Sequence, residues 1–438
     1  SRICNFITQH KVRETFSFFR KNTRFTDNMM ESLRELYRIG YGPSSSHTMG
    51  PRYAAQKFLA AHTQAARFEA HLYGSLAATG KGHLADQVLR DTFENAGKPI
   101  EILWHPEESK PYHPNALTLK AMGYDDTEVL DEQTFYSVGG GKIVGEGESS
   151  ASSPRPYPAF LSSMADILAY CEKEGLQLWE IPLQFEGREI MDFVSDIWEA
   201  MSHAVENGLA HEGVLPGGLK LRRKAAQFHA RSQVPSDAEA SVTAMTYALA
   251  VSEENAGGGQ IVTAPTCGAS GVLPGVLYYF YKHRSVPRIK ILRALLTAGL
   301  IGNLVKENGS ISGAEVGCQG EIGVACSMAG GAVAQLLGGT VYQIEYAAEM
   351  GLEHHLGLTC DPMLGLVQIP CIERNALATM RAIDHANYAL LSDGRHKVSF
   401  DDVIAVMMET GHALPSLYRE TSLGGLARVQ SRDSQEKE

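Results

Sequence analysis

From residue 159 onward the chain shows almost no alternation of apolar and polar residues, but many long runs dense in alanine and glycine, such as CSMAGGAVAQLLGG at 326–339. A strand with one buried face reads with period two, and a buried helix does not. Small residues let helix backbones approach one another closely. The pattern therefore confines this half to packed helices. It predicts them near 159–174, 188–207, 219–230, 237–254, 271–284, 288–306, 321–337, 372–391 and 400–412, within an all-α domain over 159–427 that ends in a polar tail, 428–438.

The first part reads differently. RFEAHLYG (67–74) alternates Phe68, Ala70 and Leu72 and is expected to be a strand, and IEILWHP (100–106) and FYSVGGGKIVG (135–145) are further strand candidates. Helices are predicted over 31–39, with Leu33, Leu36 and Tyr37 on one face, after Pro51, and over 85–93. Strands alternating with helices make 29–145 an α/β or α+β domain. The polar EGESSASSPRPYP, 146–158, is read as a linker. Residues 1–28 are basic and read as an extension outside the fold, either disordered, not native to the protein, or a targeting presequence. GGGK at 139–142 is not a phosphate loop: Ile143 follows the lysine where Ser or Thr is needed, and Tyr136 stands where the first glycine belongs. A turn or strand edge suits it better.

A net charge of −11 argues against nucleic acid or an anionic membrane as the main partner. The most apolar stretch, Ile291–Val305, is too short to span a bilayer, and no signal-peptide core is read. Seven cysteines in no small-domain pattern favour a reducing, cytoplasmic setting with metal-bound or buried thiols. Cys171 and Cys326 fall in helices and read as core, and Cys267 lies on a Gly/Pro loop. Cys318, Cys360 and Cys371 each stand beside a Gly or Pro turn, but no two lie within one tight turn as in ordinary zinc or iron–sulfur motifs. Spacing alone leaves them either buried small hydrophobes or ligands.

GPSSSHTMGP places Ser45, Ser46, His47 and Thr48 just before a helix N-terminus, where free amides and the helix dipole suit a carboxylate or phosphate. In GSLAATGKGH, Gly80 and Gly82 would seat His83 tightly at the head of the next helix.

These motifs, with CDPMLGLVQIPCIERN and NGSISGAEVGCQGEIG, resemble the iron–sulfur L-serine dehydratases (L-serine ammonia-lyases) in their single-chain form, in the same order over roughly 29–427. The resemblance implies conversion of L-serine to pyruvate and ammonia, and a homodimer. It also implies that Cys318, Cys360 and Cys371 hold a [4Fe-4S] cluster with one iron left open as a Lewis acid. The tail RVQSRDSQEKE has no cysteine, so water, a small anion or another side chain remains open as the resting fourth ligand. The same resemblance gives Ser45, Ser46 and Thr48 the substrate carboxylate and makes His47 and His83 the base candidates. His113 and Asn115 in YHPN join Asn308, Ser310 and Ser312 as further substrate-binding candidates. Rival readings are a cluster-dependent lyase for L-threonine or L-cysteine, a pyridoxal-phosphate dehydratase, and a non-catalytic amino-acid sensor with structural cysteines.

Overall fold

The computed structural model describes residues 29–125, 128–147, 153–232, 239–421 and 423–429. The expectations for 1–28, for part of the linker and for most of the tail lie outside the described residues. The strands are β1 (Ile39–Tyr41), β2 (Arg67–Tyr73), β3 (Ile100–His105), β4 (Asn115–Met122), β5 (Val129–Ser137), β6 (Ile143–Gly145) and β7 (Gln260–Val262).

Strands β2 to β6 form one small mixed sheet in the order β3-β2-β4-β5-β6. β2 and β3 run parallel, which requires a crossover, and the helix Ala85–Glu94 lies in it; the remaining pairs are antiparallel. Phe68, Ala70 and Leu72 of β2 share a core with Phe58 of the helix Gly50–Ala61 and with Leu89 and Phe93 of the helix Ala85–Glu94. The ring of Phe68 sits 4.5 Å from that of Phe93, and burying each such side chain contributes on the order of 2 kcal/mol. Strand β4 has no counterpart in the sequence reading. It is buried on both faces, so its side chains do not alternate. The predicted strand over 135–145 is two strands joined by the glycine run. Gly139, Gly140 and Gly141 all have positive φ, and Val138 N–H donates to Lys142 O at 3.1 Å.

The remainder is helical. The helix Ile322–Leu336 lies at its centre, buried throughout from Ile322 to Ala334, and packs against the helices Arg288–Asn308, Val341–Glu353 and Cys371–Leu390. A side chain at Gly351 would bring its Cβ within 2.6 Å of the Ser327 backbone, so here two helices touch backbone to backbone. Among the described residues no helix is long and apolar enough to cross a membrane.

Two expectations need correction. The helical part is not free of strands, because β7 pairs antiparallel with β1, Ile39 opposite Val262 and Tyr41 opposite Gln260. Three-residue strands are too short to show alternation, and these partners are far apart in sequence. The predicted helix over 31–39 shrinks to one tight turn, Leu33–Glu35, before the chain extends into β1. Leu33, Leu36 and Tyr37 are nevertheless buried, in the core of the helical part, and Tyr37 Oη donates to Leu295 O at 2.9 Å.

Glu31 fastens these pieces together. Its buried carboxylate pairs with Lys142 of the glycine turn, with Lys306 at 2.5 Å and with Arg155 at 3.5 Å, while Asn303 Nδ2 donates to its carbonyl at 2.6 Å. Burial alone would raise the Glu31 carboxyl, but Lys306 and Lys142 outweigh it and hold it at about 2. A carboxyl lowered in the fold stabilises it fully above its unfolded value of 4.5 and progressively less as pH falls toward 2. Glu31→Ala is expected to cost about 3 kcal/mol at neutral pH, because it strands buried cations. The difference between variant and wild type should shrink in thermal melts taken between pH 4.5 and 2.

Candidate active site

The serine-rich stretch forms a wide helical turn, Ser45–Met49, that continues directly into the helix Gly50–Ala61. The helix thus opens a turn earlier than the sequence suggests. Ser44 is the reason: its Oγ accepts from His47 N at 3.0 Å, and its carbonyl accepts from Thr48 N and Met49 N. The opening amides, those of Ser45 and Ser46, have no partner within the turn. Ser45, Ser46, His47 and Thr48 are all buried, so an anion there would meet oriented N–H groups away from water.

His47 is held on both sides. Its Nε2 lies 3.1 Å from Ser75 O. A carbonyl can only accept, so Nε2 carries the ring proton and Nδ1 is the basic nitrogen. Nδ1 accepts from Ser46 Oγ at 2.8 Å and faces Glu420 Oε1 at 3.5 Å. The ring of His83 sits 4.5 Å from that of His47, and its Nδ1 is buried without a partner. Thr48 Oγ1 fixes the His83 backbone, donating to its carbonyl at 2.6 Å. Burial lowers both imidazoles. It takes His47 to about 4 against the opposing pull of the Ser75 carbonyl, and His83 well below its ordinary value. Both rings are therefore neutral near pH 7. The His83 loop lies directly on the segment between Cys360 and Cys371, where a side chain at Gly82 would put its Cβ 2.6 Å from Leu364 O.

Cys318 precedes the central helix Ile322–Leu336, Cys360 lies in an extended link, and Cys371 opens the helix Cys371–Leu390. All three are free, as are Cys171, Cys267 and Cys326. Backbone bonds brace two of them: Cys318 N–H donates to Leu358 O at 2.9 Å and Cys360 N–H to Tyr418 O at 2.8 Å. A hydrogen bond from the Cys360 thiol, helped by Arg374, outweighs burial and holds Cys318 down at about 6. The same bond and burial push Cys360 up, and burial and the Cys318 charge push Cys371 up. Arg374, on the helix that Cys371 opens, also donates to Thr359 O at 2.7 Å. Glu321 accepts from Thr266 Oγ1 at 2.8 Å and faces Cys360 Sγ at 3.8 Å; burial, then Cys318, pushes its carboxyl up to about 8.

This donor set fits a thiolate-bound cluster better than a single ion. Soft sulfur ligands, one of them already acidic, are what iron–sulfur centres use. Yet among the described residues only His47, His83 and Glu420 offer three ligand atoms within 4.8 Å of one another. The Cys318 and Cys360 sulfurs are hydrogen-bonded to each other, and with Cys371 they do not form a triple within that span.

Other candidates divide. His113 is close enough to lower the His47 imidazole, its Nδ1 accepts from Asn115 N at 3.1 Å, and its Nε2 is buried without a partner. Both side-chain amide atoms of Asn115 are likewise unpartnered. Ser310 Oγ donates to Glu315 Oε2 at 2.7 Å, whereas the buried Ser312 hydroxyl has no partner. The structure does not bring in Asn308. The helix Arg288–Asn308 runs through it and leaves it exposed, donating to Ser162 O at 2.7 Å.

The family model described as serine dehydratase alpha chain matches residues 60–427. The chain belongs to that family. An L-serine dehydratase of Streptomyces coelicolor is 42% identical, covering 91% of this chain and 99% of its own length. L-serine dehydratase 2 of Escherichia coli K12 is 41% identical, over 91% of this chain and 98% of its own, and an L-serine dehydratase of Helicobacter pylori 39%, over 91% and 98%.

In this serine dehydratase family member the sequence reading missed Glu420, Glu321, Arg374 and Ser75. Arg374 and Glu321 each lie three residues from a cysteine, a spacing that could have drawn notice on helices. Glu420 carried no such signal. Its place depends on a backbone at φ +56, clamped by Glu420 N–H to Cys360 O at 2.7 Å and by Ser75 Oγ to Glu420 O at 2.6 Å.

Proposed function

We propose that this protein is an L-serine ammonia-lyase, forming pyruvate and ammonia with a [4Fe-4S] cluster on Cys318, Cys360 and Cys371. The observation that carries the reading is the junction at Glu420. Its backbone is bonded to Cys360 and its carboxyl faces His47, so thiols, imidazoles and the serine-rich turn meet at one buried residue.

When bound, the cluster supplies a Lewis acid at the iron that three thiolates leave without a protein ligand. The Ser45 and Ser46 amides and the Ser45 hydroxyl hold the substrate carboxylate, and Thr48 braces the turn against the His83 loop. His47 accepts the α-proton at Nδ1, with the Ser75 carbonyl fixing its tautomer. His83, His113, Asn115 and Ser312, each with an unpartnered buried polar atom, complete the polar wall. Loss of the α-proton and the β-hydroxyl leaves an enamine, which becomes an imine and hydrolyses.

The same reading takes a cytoplasmic homodimer, with an α/β unit at 29–145 and the catalytic helical unit at 159–427. Six free cysteines support a reducing compartment, and exposed Tyr388 and Leu391 give the helical unit apolar surface for a second copy. Anaerobic reconstitution with iron and sulfide, followed by a pyruvate assay on L-serine, is the test. Pyruvate should form only after reconstitution. A protein that takes up iron and sulfide and makes none would end this reading.

A further inference from the structure

L-serine would bring three polar groups into the site, and the residues assigned so far leave its ammonium without an anionic partner. A buried cation needs an anionic or strongly polar partner. Among the nearby carboxyls, Glu321 is already engaged by Thr266 Oγ1 and Glu315 by Ser310 Oγ. Glu420 is engaged least. Its carboxylate faces His47 Nδ1 at 3.5 Å, beyond an ordinary hydrogen bond, with a ring nitrogen of His83 within 4.8 Å. It is 6% exposed, and among the described residues no lysine or arginine pairs with it. Its left-handed backbone, unusual for a glutamate, is secured by Ser75 from the sheet side and by Cys360 from the helical side. Strain held by both halves at a buried acid marks a position kept for its side chain.

We infer that Glu420 is the substrate-binding residue that receives the α-ammonium group, and so selects amino acids over hydroxy acids. This rests on the lyase reading above. The geometry suits it: the acid stands between the turn that would take the carboxylate and the thiols beside which the hydroxyl must leave.

The test uses the reconstituted holoenzyme and two unreactive probes. L-Alanine carries the ammonium and carboxylate without the hydroxyl; 3-hydroxypropionate carries the hydroxyl and carboxylate without the ammonium. Calorimetric titration of Glu420→Gln, nearly the same shape without the charge, should show L-alanine bound roughly 10- to 100-fold more weakly than by wild type, the loss expected of one charge-assisted bond. Binding of 3-hydroxypropionate should stay within about threefold, and iron content should not change. Equal weakening of both probes, unchanged L-alanine binding, or wild type that binds no L-alanine would each overturn the assignment. Failure of the lyase reading would show separately, as wild type that makes no pyruvate from L-serine.

Discussion

Replacing Cys360 with alanine is expected to remove iron, inorganic sulfide, visible colour and pyruvate formation together, while the fold remains. The backbone of Cys360 does the structural work here. Its N–H donates to Tyr418 O and its carbonyl accepts from Glu420 N, and alanine keeps both bonds. Losing one sulfur from a buried site should cost on the order of 1 kcal/mol, far from unfolding a chain of this size. A cluster held by three thiolates cannot lose one so cheaply, because the remaining two leave a second iron without a protein ligand. Cys326→Ala is the matched control. Its thiol is equally buried, inside the central helix, with Sγ 3.4 Å from Ala378 O, so it should lose a little stability and keep all its iron. Iron and sulfide analysis, visible spectra and thermal melts of the two variants separate the roles. Pyruvate formation surviving in Cys360→Ala would take the cluster out of the chemistry.

The sequence carried the helical half well because burial on every side of a helix leaves a direct trace in composition. The Ala/Gly run of Ile322–Leu336 is such a trace, since only small residues permit contacts like that of Gly351 on Ser327. The helix Val341–Glu353 was overlooked although its cap was legible: Thr340 and Gln343 form a capping box. What composition does not encode is which distant segments meet. The β1–β7 pairing, the central strand β4 and the docking of Leu33 and Tyr37 on the helical core are all set by tertiary contacts. The candidate site shows the same division. Its serines, His83 and the cysteines stand in motifs with unusual local composition. Glu420 is brought in by its own left-handed backbone, and no periodicity announces that. Asn308 errs the other way: it sits in a motif, but a helix that extends two residues past its predicted end carries it to the surface.

Replacing His47 with glutamine is expected to lower kcat by about a thousandfold, within the range for loss of a general base, and to leave iron content and the visible spectrum intact. His47 and His83 lie side by side, so the choice between them turns on what each ring is already doing. Ser75 O takes the Nε2 proton of His47 and leaves Nδ1 basic and fixed in direction. His83 has no such orienting partner at Nδ1, which suits a polar contact more than a positioned base. The pH profile offers an independent reading. Burial holds His47 at about 4, so its basic form persists well below pH 6.5 and is lost only as pH falls through about 4. Wild-type kcat/KM on L-serine should therefore hold down to that region before falling, over whatever part of the range the protein stays folded. In His47→Gln the residual rate should lose that limb. His83→Gln should instead raise KM more than it lowers kcat and keep the limb. The reverse pattern, with the limb and the thousandfold loss both following His83, would move the proton transfer to the neighbouring ring.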